Sequence, residues 1–173
     1  MSQPIVTLSR ALDQAGDVLA AVHADDLDKP TPCGEWSVRD LANHLAAAPA
    51  RFLKMSRGQE VDWSATPQTS DGTWATTFRS GADDLIHYWH GQPDDQAGGA
   101  GWQTAEIAVH TWDLARAIKR DVDLDDDVAE AGLAFLQQSL TDENRGSVFE
   151  PAVSVGEDAP AYDRLAAFAG RTP

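Results

Sequence analysis

The sequence predicts an all-α fold, a helical bundle with short appendages, in a single domain over residues 1–173. Apolar residues recur at steps of three and four in successive segments, which is the period of an amphipathic helix. Stretches rich in proline, glycine and aspartate separate these segments and are typical of loops. A chain of 173 residues with 42% hydrophobic residues is long enough for one well-buried core.

The first predicted helix covers residues 4–24, because its apolar positions follow the helical period. These positions are Ile5, Leu8, Ala11, Leu12, Ala15, Val18, Leu19 and Val22. The next segment, residues 24–35, contains three aspartates, two prolines and a glycine. Turn residues at this density predict a loop.

A second helix is predicted to begin at Ser37. Asp40 lies three residues further on, so the pair matches a capping box with Asp in place of Glu. His44 lies within the apolar stripe of this helix. Pro49 also falls inside the pattern and cannot donate a hydrogen bond to the carbonyl of Leu45, so we expect a kink or break there.

Two further helices are predicted, over residues 73–90 and 102–120, with a loop before each of them. The polar segment 57–72 is expected to be a long loop, and apolar positions then predict a helix over 73–90. Residues 91–101 are rich in glycine, proline and aspartate and predict another loop. A fourth helix is expected over 102–120.

The remaining sequence predicts one more long helix and a short appendage. Asp125 or Asp126 caps a fifth helix that runs to about residue 140. Weak alternation over 149–155 is consistent with a short extended segment. A last short helix over 161–169 is predicted to end at Gly170.

Composition excludes several classes of partner. The formal net charge is -15, which disfavours nucleic acids and anionic membranes because both would repel the chain. No apolar run approaches the ~20 residues that span a bilayer. The first residues lack a basic segment and an apolar core, so we expect no signal peptide. One cysteine, Cys33, cannot form an internal disulfide, which favours a cytoplasmic location.

Residues 106–113 (EIAVHTWD) contain two side chains that can bind a metal. Glu106 and His110 are four residues apart in an apolar, helix-like segment, so their side chains lie on one face. His44, on another apolar helix, could supply a third ligand across a bundle core. Three protein ligands leave one coordination position free, which is typical of a catalytic metal site. The alternative is a helical salt bridge or a satisfied core pair.

Other polar residues have competing interpretations. Asp113 could orient His110 or pair with Arg116 on the helix surface. His87 and His90 could bind a metal, but the spacing favours ordinary interaction with a helix C-terminus. Cys33 precedes the second helix and could be a reactive thiol, although a buried structural thiol is favoured.

Two segments resemble a known family. Residues 31–45 (TPCGEWSVRDLANHL) and 106–116 (EIAVHTWDLAR) are similar to DinB-like proteins. They resemble more closely an actinobacterial branch related to the metal-binding domain of mycothiol-dependent maleylpyruvate isomerase. The tail, residues 149–171, is similar to that of small single-domain members, so the resemblance covers nearly the whole chain.

The resemblance implies a DinB-like four-helix bundle that binds a divalent metal, usually zinc, through a His and a later Glu/His pair. Carried onto this sequence, the ligands are His44, Glu106 and His110. Relatives include thiol-dependent transferases and isomerases in which the metal activates the sulfur of a low-molecular-weight thiol such as mycothiol. A metal stabilises such a thiolate at neutral pH.

These observations lead to three functional hypotheses. The first is a metal-dependent thiol transferase or isomerase acting on a small molecule, with zinc as the metal and nickel or iron as alternatives. The second is a metal-dependent hydrolase with the same ligands. The third is a non-catalytic binding or structural bundle. Under each hypothesis the protein could form a homodimer.

The substrate pocket is expected to use aromatic and cationic side chains near the ligands. We expect Trp36, Trp102 and Trp112 to line this pocket. Arg39, Arg79 and Arg116 are candidates to anchor an anionic substrate, and Arg79 is the one assigned to the pocket. Asp113 is the candidate to orient the site.

Overall fold

The computed structural model describes residues 2–120, 122–146 and 149–173. Within these ranges the chain forms six α-helices and no β-strand, so the predicted all-α fold is confirmed. The helices are α1 (Gln3–Ala20), α2 (Val38–Ser56), α3 (Trp74–His90), α4 (Gly99–Ile118), α5 (Asp126–Ser139) and α6 (Ala161–Phe168). None of the helices in the described ranges has the length and hydropathy needed to cross a membrane.

The first four helices form the bundle. α1 packs against α3 and α4, and α2 packs against the same two helices, so α1 and α2 occupy opposite corners. α5 lies on α4, and α6 covers α5. The predicted apolar stripe of α1 is buried between its neighbours, as amphipathic helices require. The candidate site lies where α2 and α4 contact each other.

The start of α2 forms as the sequence predicts. Ser37 N–H donates to Asp40 Oδ2 at 3.0 Å, and Asp40 N–H donates to Ser37 Oγ at 3.3 Å, which completes the capping box. Of the kink or break predicted at Pro49, the break is wrong, since α2 continues through Pro49 to Ser56. Pro49 is buried against α3, where a methyl group on Gly81 would lie 3.3 Å from its Cβ. This packing offsets the loss of one helical hydrogen bond.

The C-terminal segment folds back onto the bundle. Val153 lies in an irregular segment and donates its N–H to Ala167 O at 2.8 Å, so the predicted extended segment lies along α6 without forming a strand. Gly170 ends the helix region with a φ of 89°, and the next N–H, that of Arg171, donates to Ala166 O at 2.9 Å. This reversal directs Arg171, which is buried, toward the site.

Candidate metal centre

Three side chains from two helices converge on one point. His44 Nε2, on α2, lies 3.3 Å from Glu106 Oε1, on α4. His110 Nε2 lies 3.2 Å from the same oxygen. Each of the three residues offers one ligand atom within 4.8 Å of the other two. The structure therefore brings together the three residues that the sequence motifs indicate.

Burial and mutual charge control the protonation of this cluster. Burial alone would raise the pKa of Glu106, but the charge and hydrogen bond of His110, together with the hydrogen bond from His44, hold it well below its usual range. Burial lowers the pKa of His44. Burial would also lower the pKa of His110, but Glu106 and Asp113 raise it well above its ordinary value. Glu106 and His110 therefore favour each other's charged forms, whereas burial favours the neutral form of His44.

A buried carboxylate orients the His110 ring. His110 Nδ1 lies 3.2 Å from Asp113 Oδ2 and can donate to it. Arg171 holds Asp113 from the other side, with Nε donating to Oδ1 at 3.1 Å and Nη2 donating to Oδ2 at 2.9 Å. In the neutral imidazole that a metal requires, this contact favours the Nδ1–H tautomer and leaves Nε2 directed at the other two ligand candidates. Arg116 is exposed and lies over the ring of Trp112, so it does not pair with Asp113. Of the two predicted roles for Asp113, the structure shows the contact with His110.

The loop before α2 places an aromatic ring on the cluster. Thr31 N–H and Oγ–H both donate to the carbonyl of Trp36, at 3.1 and 2.8 Å, and Gly34 supplies the left-handed turn between them with a φ of 57°. The Trp36 ring centroid consequently lies 4.8 Å from that of His44 and 6.0 Å from that of His110. Trp36 therefore borders the cluster of His44 and His110.

Cys33, in the same loop, lies closer to the site than the sequence indicated. Arg171 Nη2 lies 3.6 Å from Cys33 Sγ, and the thiol is half-buried. Cys33, His110 and Asp113 form a second group whose potential ligand atoms lie within 4.8 Å of one another. Cys33 thus shares His110 with the first group but is grouped with Asp113 rather than with His44 and Glu106.

Trp102 extends the site along α4. It precedes Glu106 by four residues, so the two side chains share one face of the helix. Its ring contacts Phe52 on α2 at a centroid distance of 5.1 Å and Trp63, in the loop after α2, at 6.3 Å. Because His44 faces Glu106 while Phe52 faces Trp102, α2 and α4 run antiparallel along this groove.

Two residues predicted for the pocket lie elsewhere. Trp112 follows His110 by two residues, about 200° around the helix, and its Nε1 donates to Asp163 on α6 at 3.3 Å. Arg79 is exposed on α3, and its Nη2 donates to Asp17 on α1 at 2.7 Å. The structure brings neither side chain to the cluster.

The alternative histidine pair belongs to a different surface. His87 and His90 are exposed and line a cleft of about 220 Å³ between α1 and α3, together with Asp13. In the part of the chain that the structure describes, two groups of three potential ligands converge, and neither contains these histidines.

Arg171 is the residue at the site that the sequence reasoning missed. It lies 58 residues after its partner Asp113, at the end of the tail segment 149–171, and the resemblance of that segment implied no role for it. Gly170 predicted that the chain turns at this point, but a turn residue does not determine where the following side chain goes.

Comparisons with known proteins identify the family of this chain. The model of the mycothiol maleylpyruvate isomerase N-terminal domain family matches residues 8–97, which is just over half of the chain. Two uncharacterized proteins of Mycobacterium tuberculosis, MT0763 and Rv0738, are each 29% identical to this chain over 188 residues, and the match covers 98% of both sequences. No solved structure matches the chain. With an all-helical bundle and a family match over more than half of its length, the chain belongs to the mycothiol maleylpyruvate isomerase N-terminal domain family.

Proposed function

We propose that this protein is a divalent-metal enzyme of the thiol-dependent transferase or isomerase type, with His44, Glu106 and His110 as metal ligands. The observation that carries the proposal is the convergence of two imidazole nitrogens on one carboxylate oxygen, at 3.3 and 3.2 Å. Membership of a family named for a mycothiol-dependent isomerase supports the thiol as cosubstrate.

The donor geometry fits a small divalent cation. Zinc bonds to nitrogen and oxygen are about 2.1 Å long, so neighbouring donors in a tetrahedral site lie about 3.4 Å apart. The two distances to Glu106 Oε1 are close to this value. Glu106 retains 16% of its side-chain surface, which leaves an approach to the fourth position from solvent. Two imidazoles and a carboxylate suit zinc best, and nickel or iron are the alternatives.

Residues around the proposed metal position orient its ligands and shield it from water. A divalent ion held there supplies Lewis acidity, which stabilises the deprotonated form of a thiol at neutral pH. Asp113 and Arg171 hold the His110 ring so that Nε2 faces the site. Trp36 covers the two imidazoles and excludes water from one side. The open side adjoins Trp102, where a substrate could lie beside the thiol.

Metal content tests the ligand assignment directly. Purified protein is incubated with zinc, desalted and analysed by elemental mass spectrometry. We expect about one equivalent in the natural protein and below about one-tenth in the His110→Ala variant, because a three-ligand site cannot lose one ligand and retain its affinity. His87→Ala removes an exposed histidine outside the cluster and should leave the metal content unchanged. Equal metal in both variants, or none in the natural protein, contradicts the proposal.

Cobalt substitution tests the thiol. Cobalt-loaded protein is titrated with N-acetylcysteine and, where it can be prepared, with mycothiol, in a Cys33→Ser background that removes the protein's own thiol. Binding of the added sulfur to cobalt should produce a thiolate-to-metal charge-transfer band in the near ultraviolet. A metal-loaded protein that shows no such band would exclude thiol activation at this site and favour a hydrolase with the same ligands.

A further inference from the structure

Arg51 is a buried cation whose charge no carboxylate neutralises within 4 Å in the described part of the chain. Its exposure is 7%. The other two buried arginines both have such a partner: Arg145 Nε lies 3.8 Å from Asp142, and Arg171 Nη2 lies 2.9 Å from Asp113. Arg51 Nη2 donates instead to the carbonyl of Ala65. A buried guanidinium without a counter-ion is costly, so an absent anionic partner would account for it.

The position of Arg51 relates it to the metal centre. It follows His44 by seven residues on α2, which places both on the same face about 10 Å apart along the helix axis. On the facing helix, Trp102 precedes Glu106 by one turn, and its ring packs against Phe52. Arg51 and Trp102 therefore continue the α2–α4 groove beyond the three ligand candidates.

An exposed aromatic ring lies against Arg51. Trp63, in the loop between α2 and α3, is 44% exposed, which is unusual for so large an apolar side chain. The Arg51 guanidinium carbon lies 5.3 Å from the Trp63 ring centroid, within the range of a cation–π contact. Trp63 also meets Trp102 edge-on. One cation and two aromatic rings therefore lie side by side, with Trp63 exposed to solvent.

The acidic residue nearest to Trp63 in sequence, Asp62, is close enough for the charge of Arg51 to help lower its pKa, but it forms no ion pair with Arg51 within 4 Å. Asp62 is exposed, and its Oδ1 accepts hydrogen bonds from Ser64 N–H and Oγ–H at 2.9 and 2.6 Å. A guanidinium has five N–H donors, and within the described residues the structure uses one of them, toward Ala65. Arg51 therefore retains donors that match the two oxygens of a carboxylate.

We propose that Arg51, Trp63 and Trp102 form a subsite that binds a carboxylate attached to a flat apolar group, at the far end of the substrate from the metal ligands. Most of the surface of a chain with a net charge of -15 repels anions, so a carboxylate would bind where a guanidinium without an ion-pair partner offers free donors. The inference rests on the proposed function only in placing the reacting end of the same molecule at His44, Glu106 and His110.

Benzoate and benzamide test the subsite, because they share a ring and differ in charge. Their dissociation constants are measured by ligand-observed NMR on zinc-loaded protein and on protein freed of metal by chelation. We expect benzoate to bind at least about tenfold more tightly than benzamide in both forms, as a charge-assisted hydrogen bond requires. Persistence after chelation separates binding at Arg51 from binding of the carboxylate to metal.

Variants then assign the binding to Arg51. Arg51→Met should weaken benzoate binding at least about tenfold and leave benzamide unchanged, while Arg51→Lys keeps the charge and should give an intermediate loss. Arg57→Met is the matched control, since Arg57 lies at the end of the same helix over the ring of Tyr88. Thermal melting and near-ultraviolet circular dichroism verify the fold of each variant, and Arg51→Lys carries the test if Arg51→Met does not fold.

Three results would overturn the subsite: equal binding of benzoate and benzamide, unchanged benzoate binding in the folded Arg51 variants, or loss of benzoate binding on chelation alone. The proposed metalloenzyme function is tested by metal binding, and that result is independent of these three. A protein that binds no metal but binds benzoate through Arg51 would retain the subsite and lose the metalloenzyme.

Discussion

Arg171 and Asp113 form a buried, two-point ion pair behind the candidate metal centre. Nε and Nη2 of the guanidinium donate to Oδ1 and Oδ2 of the carboxylate at 3.1 and 2.9 Å. Arg171 is 7% exposed and Asp113 is fully buried. Because Asp113 Oδ2 also lies 3.2 Å from His110 Nδ1, the C-terminal segment is linked to the orientation of a proposed metal ligand.

Removal of Arg171 should therefore weaken metal binding at a distance. We expect Arg171→Met to lower zinc affinity about 10- to 100-fold, since Asp113 loses the partner that fixes its position against His110. The affinity is measured by competition with a chromophoric chelator. Arg164→Met, which removes a guanidinium paired with Glu130 on the surface, should bind zinc as the natural protein does.

Measurements of fold stability distinguish a specific loss of zinc affinity in Arg171→Met from a general loss of the fold. Arg171→Met leaves the Asp113 charge buried with only His110 beside it, which should cost about 3–5 kcal/mol. A second change, Asp113→Asn, removes that charge and should restore much of the melting temperature without restoring zinc affinity. Recovery of both properties in the double variant would show that Asp113 and Arg171 serve stability alone.

Glu106 should determine whether zinc stabilises the fold. A ligand that binds only the folded state at 100 times its dissociation constant adds about 2.7 kcal/mol of stability. The melting temperature of the natural protein should therefore rise with added zinc, whereas Glu106→Gln should show no such rise, because the central donor is lost. Glu130→Gln changes an exposed glutamate on α5 and should respond like the natural protein. A zinc-dependent rise in Glu106→Gln would mean that the metal binds elsewhere.

Local signals account for the parts of this structure that the sequence could predict. The capping box of Ser37 and Asp40 determines where α2 begins, because its hydrogen bonds join residues three apart. The four-residue spacing of Glu106 and His110 places both on one helix face. His44 was predictable as their neighbour because it lies in the apolar stripe of another helix, which a bundle turns inward.

The parts that could not be predicted depend on contacts between distant segments. Arg171 reaches Asp113 only because Gly170 reverses the chain after α6. Arg51 was indistinguishable from a surface arginine until the loop after α2 placed Trp63 over it. The helix passes through Pro49 because α3 packs on its ring, and helix propensity alone does not contain that contact.

Gly170 should be the most sensitive glycine of the C-terminal segment. Its φ of 89° is disfavoured for any residue with a Cβ, and a methyl group there would lie 2.5 Å from the carbonyl oxygen of Glu150. Gly170→Ala should therefore lower the free energy of unfolding by about 1–3 kcal/mol and weaken zinc binding by displacing Arg171. Urea unfolding and chelator competition measure the two effects. Gly156→Ala, where a methyl group meets nothing within 4 Å, should change neither.

Asp26 holds the loop that delivers Cys33 and Trp36 to the site. It is 1% exposed, accepts the N–H of His23 at 2.9 Å and pairs with Lys29 and with Arg120 at the end of α4. Burial alone would raise the pKa of Asp26, but these hydrogen bonds and the charge of Arg120 hold it well below its ordinary value.

The lowered pKa of Asp26 predicts a pH-dependent contribution to stability. A carboxyl with a folded-state pKa below its unfolded value of about 3.9 stabilises the fold above that pH, and the contribution is lost as the pH falls through the folded-state pKa. Asp26→Asn should therefore cost about 1–3 kcal/mol at pH 7, and the deficit should shrink as the pH is lowered below about 4. Urea unfolding at a series of pH values measures this difference against Asp25→Asn, an exposed neighbour that should cost little at any pH. A deficit that is the same at pH 7 and at pH 3 would show that Asp26 contributes through packing rather than through its charge.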